Sequence, residues 1–294
     1  MFITIFTPTF NRGYIIEKLY RSLLKQKYKN FEWIIIDNGS DETEKLIDSF
    51  IKENAIKIVY RRDNERVGIN RAYNDALKLA KGDLFFKVDD DDSLTDDALY
   101  WINYYSETVD RAKIAGISGL RIFPDGSVNG GEWKNHAEYL DVSNFEREKY
   151  QLGGDKAEAY FTDILRKYGP FPEIYNEKYT DEALLYYRIA NAGYSVRWIN
   201  KKIYLSEYLS DGVTSNWEKV IVNNPITYRR NMYEFYSMIH MPFSIKLVRL
   251  SRFFYVFRKN GFKREWMCEE LPRNDLKITI IWIASYAYLF TRKK

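Results

Sequence analysis

Four consecutive carboxylates, Asp89 to Asp92, follow an apolar, strand-like run that begins at Leu84. Adjacent negative charges repel one another, and the repulsion grows as the charges leave water. Hard divalent cations such as Mg²⁺ and Mn²⁺ prefer carboxylate oxygens, so this acidic run is a candidate metal site. The alternative is a solvated acidic turn before a helix, because turns that precede helices favour Asp at the N-cap. The segments before and after the run, taken together, favour the metal site over the solvated turn.

The segments before the acidic run predict an α/β fold with a mainly parallel sheet. Predicted strands alternate with segments of helical periodicity, over 2–7, 14–24, 31–36, 42–51, 56–60, 69–79 and 84–88. Ligands bind beyond the carboxyl ends of the strands in such sheets, so the polar stretches 7–12, 37–41 and 89–92 should converge. The turns contain neither a Gly-x-Gly-x-x-Gly motif nor a Walker A loop, which disfavours a dinucleotide-binding or P-loop enzyme.

The rest of the chain predicts further strands and helices around one long polar segment. Residues 95–109 and 181–192 have helical patterns, whereas 114–123 and 196–205 are typical of strands. Residues 130–154 are polar and rich in Gly, which predicts a long loop or a lid over the site. From residue 216 onward the pattern is helical.

Composition limits the class of protein. The 294 residues suit one large domain, or one domain with an appendage, and 46% apolar residues suffice for a sizeable core. The single cysteine, Cys268, excludes an intramolecular disulfide and a multi-cysteine metal site, and fits a reducing compartment. Strand-like residues begin at Phe2, so we expect no secretory leader and a cytoplasmic location.

Four segments together resemble the family 2 glycosyltransferases with the GT-A fold. The first segment is Thr7-Pro8-Thr9-Phe10-Asn11-Arg12. The other three are Asp-Asn-Gly-Ser-x from Asp37, Arg-Ala-Tyr-Asn from Arg71 and Asp-Asp-Asp-Asp from Asp89. The likeness spans roughly residues 3–216. It implies a catalytic domain over 1–216, with a nucleotide-binding half (1–110) and an acceptor-binding half (111–216), followed by a helical extension over 217–294.

The resemblance implies a nucleotide-diphosphate-sugar donor, usually a UDP-sugar, and a divalent metal. It places the metal, Mn²⁺ or Mg²⁺, on Asp91 with help from Asp89. The implied nucleotide-binding residues are Thr7, Pro8, Thr9, Asn11, Arg12, Asp37, Asn38, Arg71, Asp89 and Asp90. Asp37 could instead brace its own turn, and Arg71 could be a helix-surface charge. Asn38 stands where the family more often has a second Asp, yet its amide could still bind a base.

The resemblance also implies inversion at the anomeric carbon, which requires a catalytic base. The segment from Tyr179 to Arg188 matches the family's pattern and places the base at Glu182, with Asp181 as its neighbour and Thr180 as the N-cap. Both acids could instead merely favour the helix N-terminus, an effect of about 0.3–1 kcal/mol. Many relatives have a further metal-binding His downstream. This chain has no His between 136 and 240, so Glu207 or Asp211 is the candidate.

The basic C-terminal part predicts contact with an anionic surface. Residues 225–294 contain 14 Lys and Arg against 5 Asp and Glu. The apolar run 278–290 is shorter than the ~20 residues that span a bilayer. It could lie on the cytoplasmic face of a membrane or pack on the protein or a second subunit. We favour membrane contact, because acceptors in surface-polysaccharide assembly are often lipid-linked.

Other functions are disfavoured. A sugar nucleotidyltransferase would usually have a Gly-rich basic loop after the first strand, where this chain has Pro8-Thr9-Phe10-Asn11. A non-catalytic carbohydrate- or nucleotide-binding module would not need both Asp91 and Glu182. A nucleic-acid binder is disfavoured because the basic residues sit among apolar helices without a recognition motif. The sugar, the acceptor and any homo-oligomer are not encoded in a pattern that we can interpret.

Overall fold

The first part of the chain alternates strands and helices, as the sequence predicts. The computed structural model describes residues 1–63, 68–135, 137–207, 216–272 and 275–291. The first elements are β1 (Ile3–Thr9), α1 (Gly13–Leu24), β2 (Phe31–Asp37), α2 (Thr43–Glu53), β3 (Lys57–Arg62), α3 (Ile69–Leu79) and β4 (Leu84–Lys87). All seven residues of β2 are buried, as expected for a strand that is covered on both faces by helices.

The second part contains the elements that complete the sheet. They are β5 (Ser93–Leu94), α4 (Ala98–Ser106), β6 (Ile114–Ile122), β7 (Tyr139–Val142), β8 (Lys156–Phe161), α5 (Thr162–Tyr168), α6 (Ala183–Asn191) and β9 (Ser195–Leu205). The strands form one sheet in the order β3-β2-β1-β4-β8-β6-β9-β5, and β7 pairs with β9. The first four strands pair in parallel, whereas β8 lies antiparallel between β4 and β6. The predicted α/β fold is confirmed, and the carboxyl ends of β1, β2 and β4 share one edge.

Several predicted boundaries differ from the structure. The segment 130–154 is not wholly a loop, because it contains β7 and a 3₁₀ turn, Arg147–Tyr150. Helix α4 is shorter than the predicted 95–109, and α6 begins at Ala183 rather than at 181. Thr180 is not its N-cap. The backbone N–H of Ala183 instead donates to Oδ1 of Asp181 at 3.0 Å. The sequence analysis predicted no element over 155–180, where β8 and α5 lie.

The C-terminal part is helical and has its own hydrophobic cluster. Its helices are α7 (Trp217–Asn223), α8 (Pro225–Tyr233), α9 (Phe243–Lys259), α10 (Arg264–Met267) and α11 (Leu276–Thr291), with a π-helical turn at Glu234–Met238. Phe254 and Ile281 are buried in this cluster, and Leu184 of α6 belongs to it as well. The helices therefore pack on the sheet-bearing part through α6. In the part of the chain that the structure describes, no helix is long and apolar enough to cross a membrane.

Candidate active site

A cavity of about 1180 Å³ opens at the carboxyl ends of β1 and β4. Residues 8–12 at the end of β1, Asn38 after β2 and the acidic run 89–92 after β4 line one part of it. The start of α6, the inner faces of β6 and β8, and two arginines of α9 line the rest. The cavity therefore gathers segments from both parts of the sheet and from the C-terminal helices.

The turns after β1 and β2 hold each other in place. Asn11 adopts a φ of 54°, a left-handed conformation that Asn tolerates, and its Oδ1 accepts the N–H of Ser40 at 2.7 Å. A Cβ atom at position 39 would lie 2.6 Å from the backbone nitrogen of Asn11, so the close approach requires Gly39. This contact sets Asn11 and Asn38 side by side on the cavity wall.

The acidic run is not a solvated turn. Asp90 and Asp92 are only 4% and 5% exposed. Asp90 accepts the hydroxyl of Thr9 at 2.7 Å, and Nη1 of Arg12 lies 3.1 Å from Asp90 and 3.0 Å from Asp91. Asp92 does not cap the next helix, because its Oδ1 accepts the N–H of Glu207 at 3.0 Å. The run is therefore folded into the site, and the predicted alternative of an exposed turn is not what the structure shows.

Burial and mutual repulsion alter the acidity of the run. Burial raises the pKa of Asp90 to about 6, although Thr9 and Arg12 oppose the shift. Burial and the charge of Asp89 raise the pKa of Asp92 to about 7 and also raise that of Asp91. Burial disfavours the charged form of Asp89 too, but Lys87 and Arg121 outweigh burial and lower its pKa. Burial therefore weakens the acidity of Asp90, Asp91 and Asp92, whereas Asp89 keeps its charge beside two cations.

Lys87 connects the acidic run to α6. Its Nζ lies 2.9 Å from Oδ1 of Asp89 and donates to Oε1 of Glu182 at 2.6 Å. Burial opposes the positive charge of Lys87, but the two carboxylates outweigh burial and raise its pKa. The contact brings Glu182 to the same cavity as the acidic run, although 95 residues separate it from Lys87.

The C-terminal helices also contact the start of α6. Arg249 of α9 forms an ion pair with Asp181 and lines the cavity. Arg188 of α6 forms an ion pair with Glu234 in the π-helical turn. The carboxylate of Asp181 therefore accepts the N–H of Ala183 and pairs with the guanidinium of Arg249. The carboxylate of Glu182 instead accepts a hydrogen bond from the ammonium group of Lys87.

The structure brings most of the nucleotide-site candidates to the cavity, but not all. Pro8, Thr9, Asn11, Arg12, Asn38 and all four carboxylates of the acidic run line it. Thr7 does not, because it is fully buried and its Oγ1 accepts the indole N–H of Trp33 at 2.9 Å. Asp37 is also fully buried, and it accepts the N–H of Gly39 and the hydroxyl of Tyr60. Asp37 thus braces its turn, which was the alternative role.

Arg71 lies away from the cavity. Its side chain is 48% exposed, and its Nε lies 3.8 Å from Asp75 one turn along α3. The helix directs Tyr73 inward and leaves Arg71 on the surface. Glu207 does line the cavity and pairs with Lys18. The other candidate for a further metal ligand, Asp211, lies outside the described residues.

Several charged residues of the cavity were missed by the sequence analysis. They are Lys87, Arg121, Lys156, Glu158, Arg249 and Arg252. Three of these had a visible signal in the sequence. Lys87 interrupts an apolar strand, and the alternation Lys156-Ala-Glu158-Ala places two charged side chains on one face of a strand. The arginines of α9 had none, since nothing in the local sequence indicates which surface α9 contacts.

Residues 4–161 match the protein family described as Glycosyl transferase family 2, and the match covers more than half of the chain. The chain belongs to this family. Among curated relatives, the GalNAc(5)-diNAcBac-PP-undecaprenol beta-1,3-glucosyltransferase of Campylobacter jejuni is 33% identical over 98 residues, which are 33% of this chain and 32% of the relative. Matches to the first relatives span only about a third of their length.

Solved structures share the fold of this family member. The structure of Staphylococcus aureus TarS 1-349 in complex with UDP-GlcNAc has a TM-score of 0.63 and 18% identity, covering 97% of this chain and 79% of the other. Mannosyltransferase PcManGT from Pyrobaculum calidifontis, in complex with GDP-Man and Mn2+, has a TM-score of 0.57 and 17% identity, covering 99% and 81%. At this identity the likeness shows the fold, which is of the GT-A type.

Proposed function

We propose that this chain transfers a sugar from a UDP-sugar to a hydroxyl group of a glycan or lipid-linked acceptor, with inversion at the anomeric carbon. One observation carries the proposal. Lys87 contacts both Asp89 and Glu182, so the acidic run and the carboxylate of α6 line one cavity. A diphosphate at the run and a base at α6 would then face the same sugar.

The nucleotide would lie against the turns after β1 and β2. Asn38 and Asn11 offer amide groups that can both donate and accept hydrogen bonds, as recognition of a base requires. Arg12 offers a guanidinium, whose planar donors suit phosphate oxygens. This guanidinium is paired with Asp90 and Asp91, at the acidic run.

A divalent metal fits the donor set of the acidic run. Mg²⁺ is commonly held by one or two carboxylates together with substrate phosphates. The described residues contain no group of three or more His, Cys, Asp or Glu side chains arranged to hold a metal. We assign Asp91 and Asp89 as the residues that would hold the metal, together with oxygens of the diphosphate. A bound cation would stabilise the charge that develops on the leaving group.

Glu182 would act as the base in this proposal. A carboxylate at hydrogen-bonding distance from the acceptor hydroxyl can accept its proton during attack on C1, a contribution of roughly 10²–10⁴-fold in rate. Asp181 is less suited to the role, because Arg249 and the N–H of Ala183 occupy its oxygens. Lys87 would hold the carboxylate of Glu182 in place, because its ammonium group donates to Oε1 at 2.6 Å.

The comparisons support this proposal over the alternatives. The family match favours sugar transfer over nucleotidyl transfer. The relative from Campylobacter is named for an acceptor on PP-undecaprenol, and the two structures are named as complexes with UDP-GlcNAc and with GDP-Man and Mn2+. The acceptor here would accordingly belong to surface-polysaccharide or glycoconjugate assembly.

We further propose that the C-terminal helices touch a membrane surface from the cytoplasmic side. One face of α11 packs through Ile278 and Ile281, but Leu276 and Ile283 on the opposite face are 73% and 62% exposed. Lys277 lies beside them in the sequence. An exposed apolar face with adjacent basic residues is typical of helices that lie in the headgroup region.

Calorimetry and a donor screen test the proposed reaction. We expect UDP to bind with measurable heat in the presence of Mn²⁺, and one member of a nucleotide-sugar panel to give metal-dependent nucleotide release. Asp91→Asn should weaken Mn²⁺-dependent UDP binding at least tenfold. Asp96→Asn, which removes an exposed carboxylate nearby in the chain, should not. Absence of heat with UDP and Mn²⁺, or no release from any donor, would refute the proposal.

A further inference from the structure

Glu158, on the wall of the cavity, has a carboxyl oxygen that no described residue hydrogen-bonds. It lies on β8, and its Oε1 is buried with no hydrogen-bond partner among the residues that the structure describes. A buried polar group that lacks a partner costs free energy, and native structures contain few of them. A carboxyl group that remains unpaired beside a cavity is therefore a candidate for binding whatever enters that cavity.

The other acids that line the cavity are all engaged by the chain, as far as the described residues show. Glu182 pairs with Lys87, and Asp181 with Arg249. The remaining acids on the wall, each with at least one interaction, are Asp89, Asp90, Asp91, Asp92, Asp155 and Glu207. Glu158 differs from them, so its unmet hydrogen-bonding capacity is not a general property of this acidic site.

The position of Glu158 relates it to the sugar rather than to the diphosphate. β8 pairs with β4, and Ala159 lies opposite Phe86, next to Lys87. Glu158 is thus on the strand beside the lysine that binds Glu182, and the charge of Glu182 acts on it. A phosphate would be repelled by a carboxylate, whereas the hydroxyl groups of a neutral sugar can donate to it.

The adjoining surface suits a pyranose ring. Tyr186 lines the cavity and stacks on Tyr160, with ring centroids 4.8 Å apart and an angle of 8° between the planes. This stacking fixes an aromatic side chain on the same wall as Glu158. A sugar has apolar C–H faces and a polar rim, so an aromatic side chain and an acceptor oxygen are complementary to it.

We propose that Glu158 accepts hydrogen bonds from hydroxyl groups of the transferred sugar and thereby contributes to the choice of donor. This inference rests on the proposed sugar transfer. A site that is built to bind a hydroxyl group discriminates strongly against an analogue that lacks it, because the buried polar group is then left unpaired. The position of the hydroxyl groups on the donor sugar would accordingly be recognised at β8.

The test compares binding of UDP with binding of UDP-sugars. UDP-glucose, UDP-galactose and UDP-N-acetylglucosamine are titrated calorimetrically with Mn²⁺ into the full chain and into Glu158→Ala, Glu158→Gln and Glu148→Gln. Glu148 is exposed and does not line the cavity, so its variant controls for loss of one charge nearby. For the probe that wild type binds most tightly, Glu158→Ala should raise Kd about 10- to 100-fold, and Glu158→Gln by less, since its amide oxygen still accepts.

The UDP arm separates the two proposals. Kd for UDP should change less than twofold in every variant, because Glu158 would contact only the sugar. If wild type binds UDP but both Glu158 variants bind the UDP-sugar as wild type does, the role of Glu158 is refuted while sugar transfer stands. If wild type does not bind UDP, both proposals fail. The Gln variant preserves side-chain volume, so a folding defect confined to the Ala variant would leave the comparison intact.

Discussion

Nζ of Lys87 lies 2.6 Å from Oε1 of Glu182, although 95 residues separate the two in the chain. The same ammonium lies 2.9 Å from Asp89. Two carboxylates near one buried point would repel each other without a cation between them. Lys87 therefore joins the acidic run and Glu182 into one site.

Replacing Lys87 should lower the rate of transfer. In Lys87→Met the carboxylates of Asp89 and Glu182 lose the ammonium group that contacts both, so Glu182 should no longer be held toward the acidic run and kcat should fall about tenfold or more. Lys25→Met, at an exposed site away from the cavity, should leave kcat unchanged. The measurement is the steady-state rate with saturating donor, and a wild-type kcat in Lys87→Met would argue against this role.

Glu182 and its neighbour can be distinguished by paired variants. Glu182→Gln should lower kcat by roughly 10²–10⁴-fold with UDP affinity retained, because it removes the proton acceptor; it also weakens the ion pair with Lys87. Asp181→Asn should lower stability, since it weakens the ion pair with Arg249 and the cap on Ala183, and should reduce kcat less. The measurements are steady-state rates with saturating donor, together with thermal melts.

If Asp181→Asn lowered kcat more than Glu182→Gln did, Asp181 rather than Glu182 would be the base. Wild-type rates in Glu182→Gln would also remove Glu182 from the proposed mechanism. Thermal melts and UDP binding show whether a lower rate merely reflects unfolding. An unfolded variant would lose UDP binding as well.

The sequence predicted the elements that depend on local pattern and missed the contacts that depend on topology. Apolar strands ending in polar turns indicated the α/β fold and the edge on which Asp91 lies. The family order of motifs indicated Glu182. The inward direction of Thr7 could not be predicted, because it depends on the indole of Trp33 on a neighbouring strand. Likewise, Arg249 reaches the cavity only because α9 packs beside α6, which no local signal in α9 encodes.

Glu158 should make the stability of the protein depend on pH. Burial raises its pKa from the ordinary value of 4.5 to about 7, so the folded state binds more protons than the unfolded state between these two pH values. Stability contributed by this group is then lost as the pH rises through that window. Glu158→Gln should differ little from wild type near pH 4.5 and be more stable above pH 7, by up to about 3 kcal/mol. Urea unfolding of both proteins at pH 5 and pH 7.5 would show this. An equal difference at the two pH values would contradict the unpaired, buried carboxyl group.

The exposed face of α11 predicts how the protein should behave with lipid. Ile280 and Ile283 are 41% and 62% exposed, whereas Ile278 and Ile281 are fully buried against the neighbouring helices. Replacing Ile280 and Ile283 together by Asp should abolish flotation with anionic liposomes without unfolding the protein, because the buried face is untouched. Wild type should float more with anionic than with neutral vesicles, and less at high salt, if basic residues contribute. Replacing the exposed Val248 on α9 by Asp tests whether the lipid-binding surface extends beyond α11. Loss of flotation in this variant would mean that the surface includes α9. Wild-type protein that stays with the soluble fraction on anionic vesicles would mean that α11 serves only to pack the C-terminal cluster.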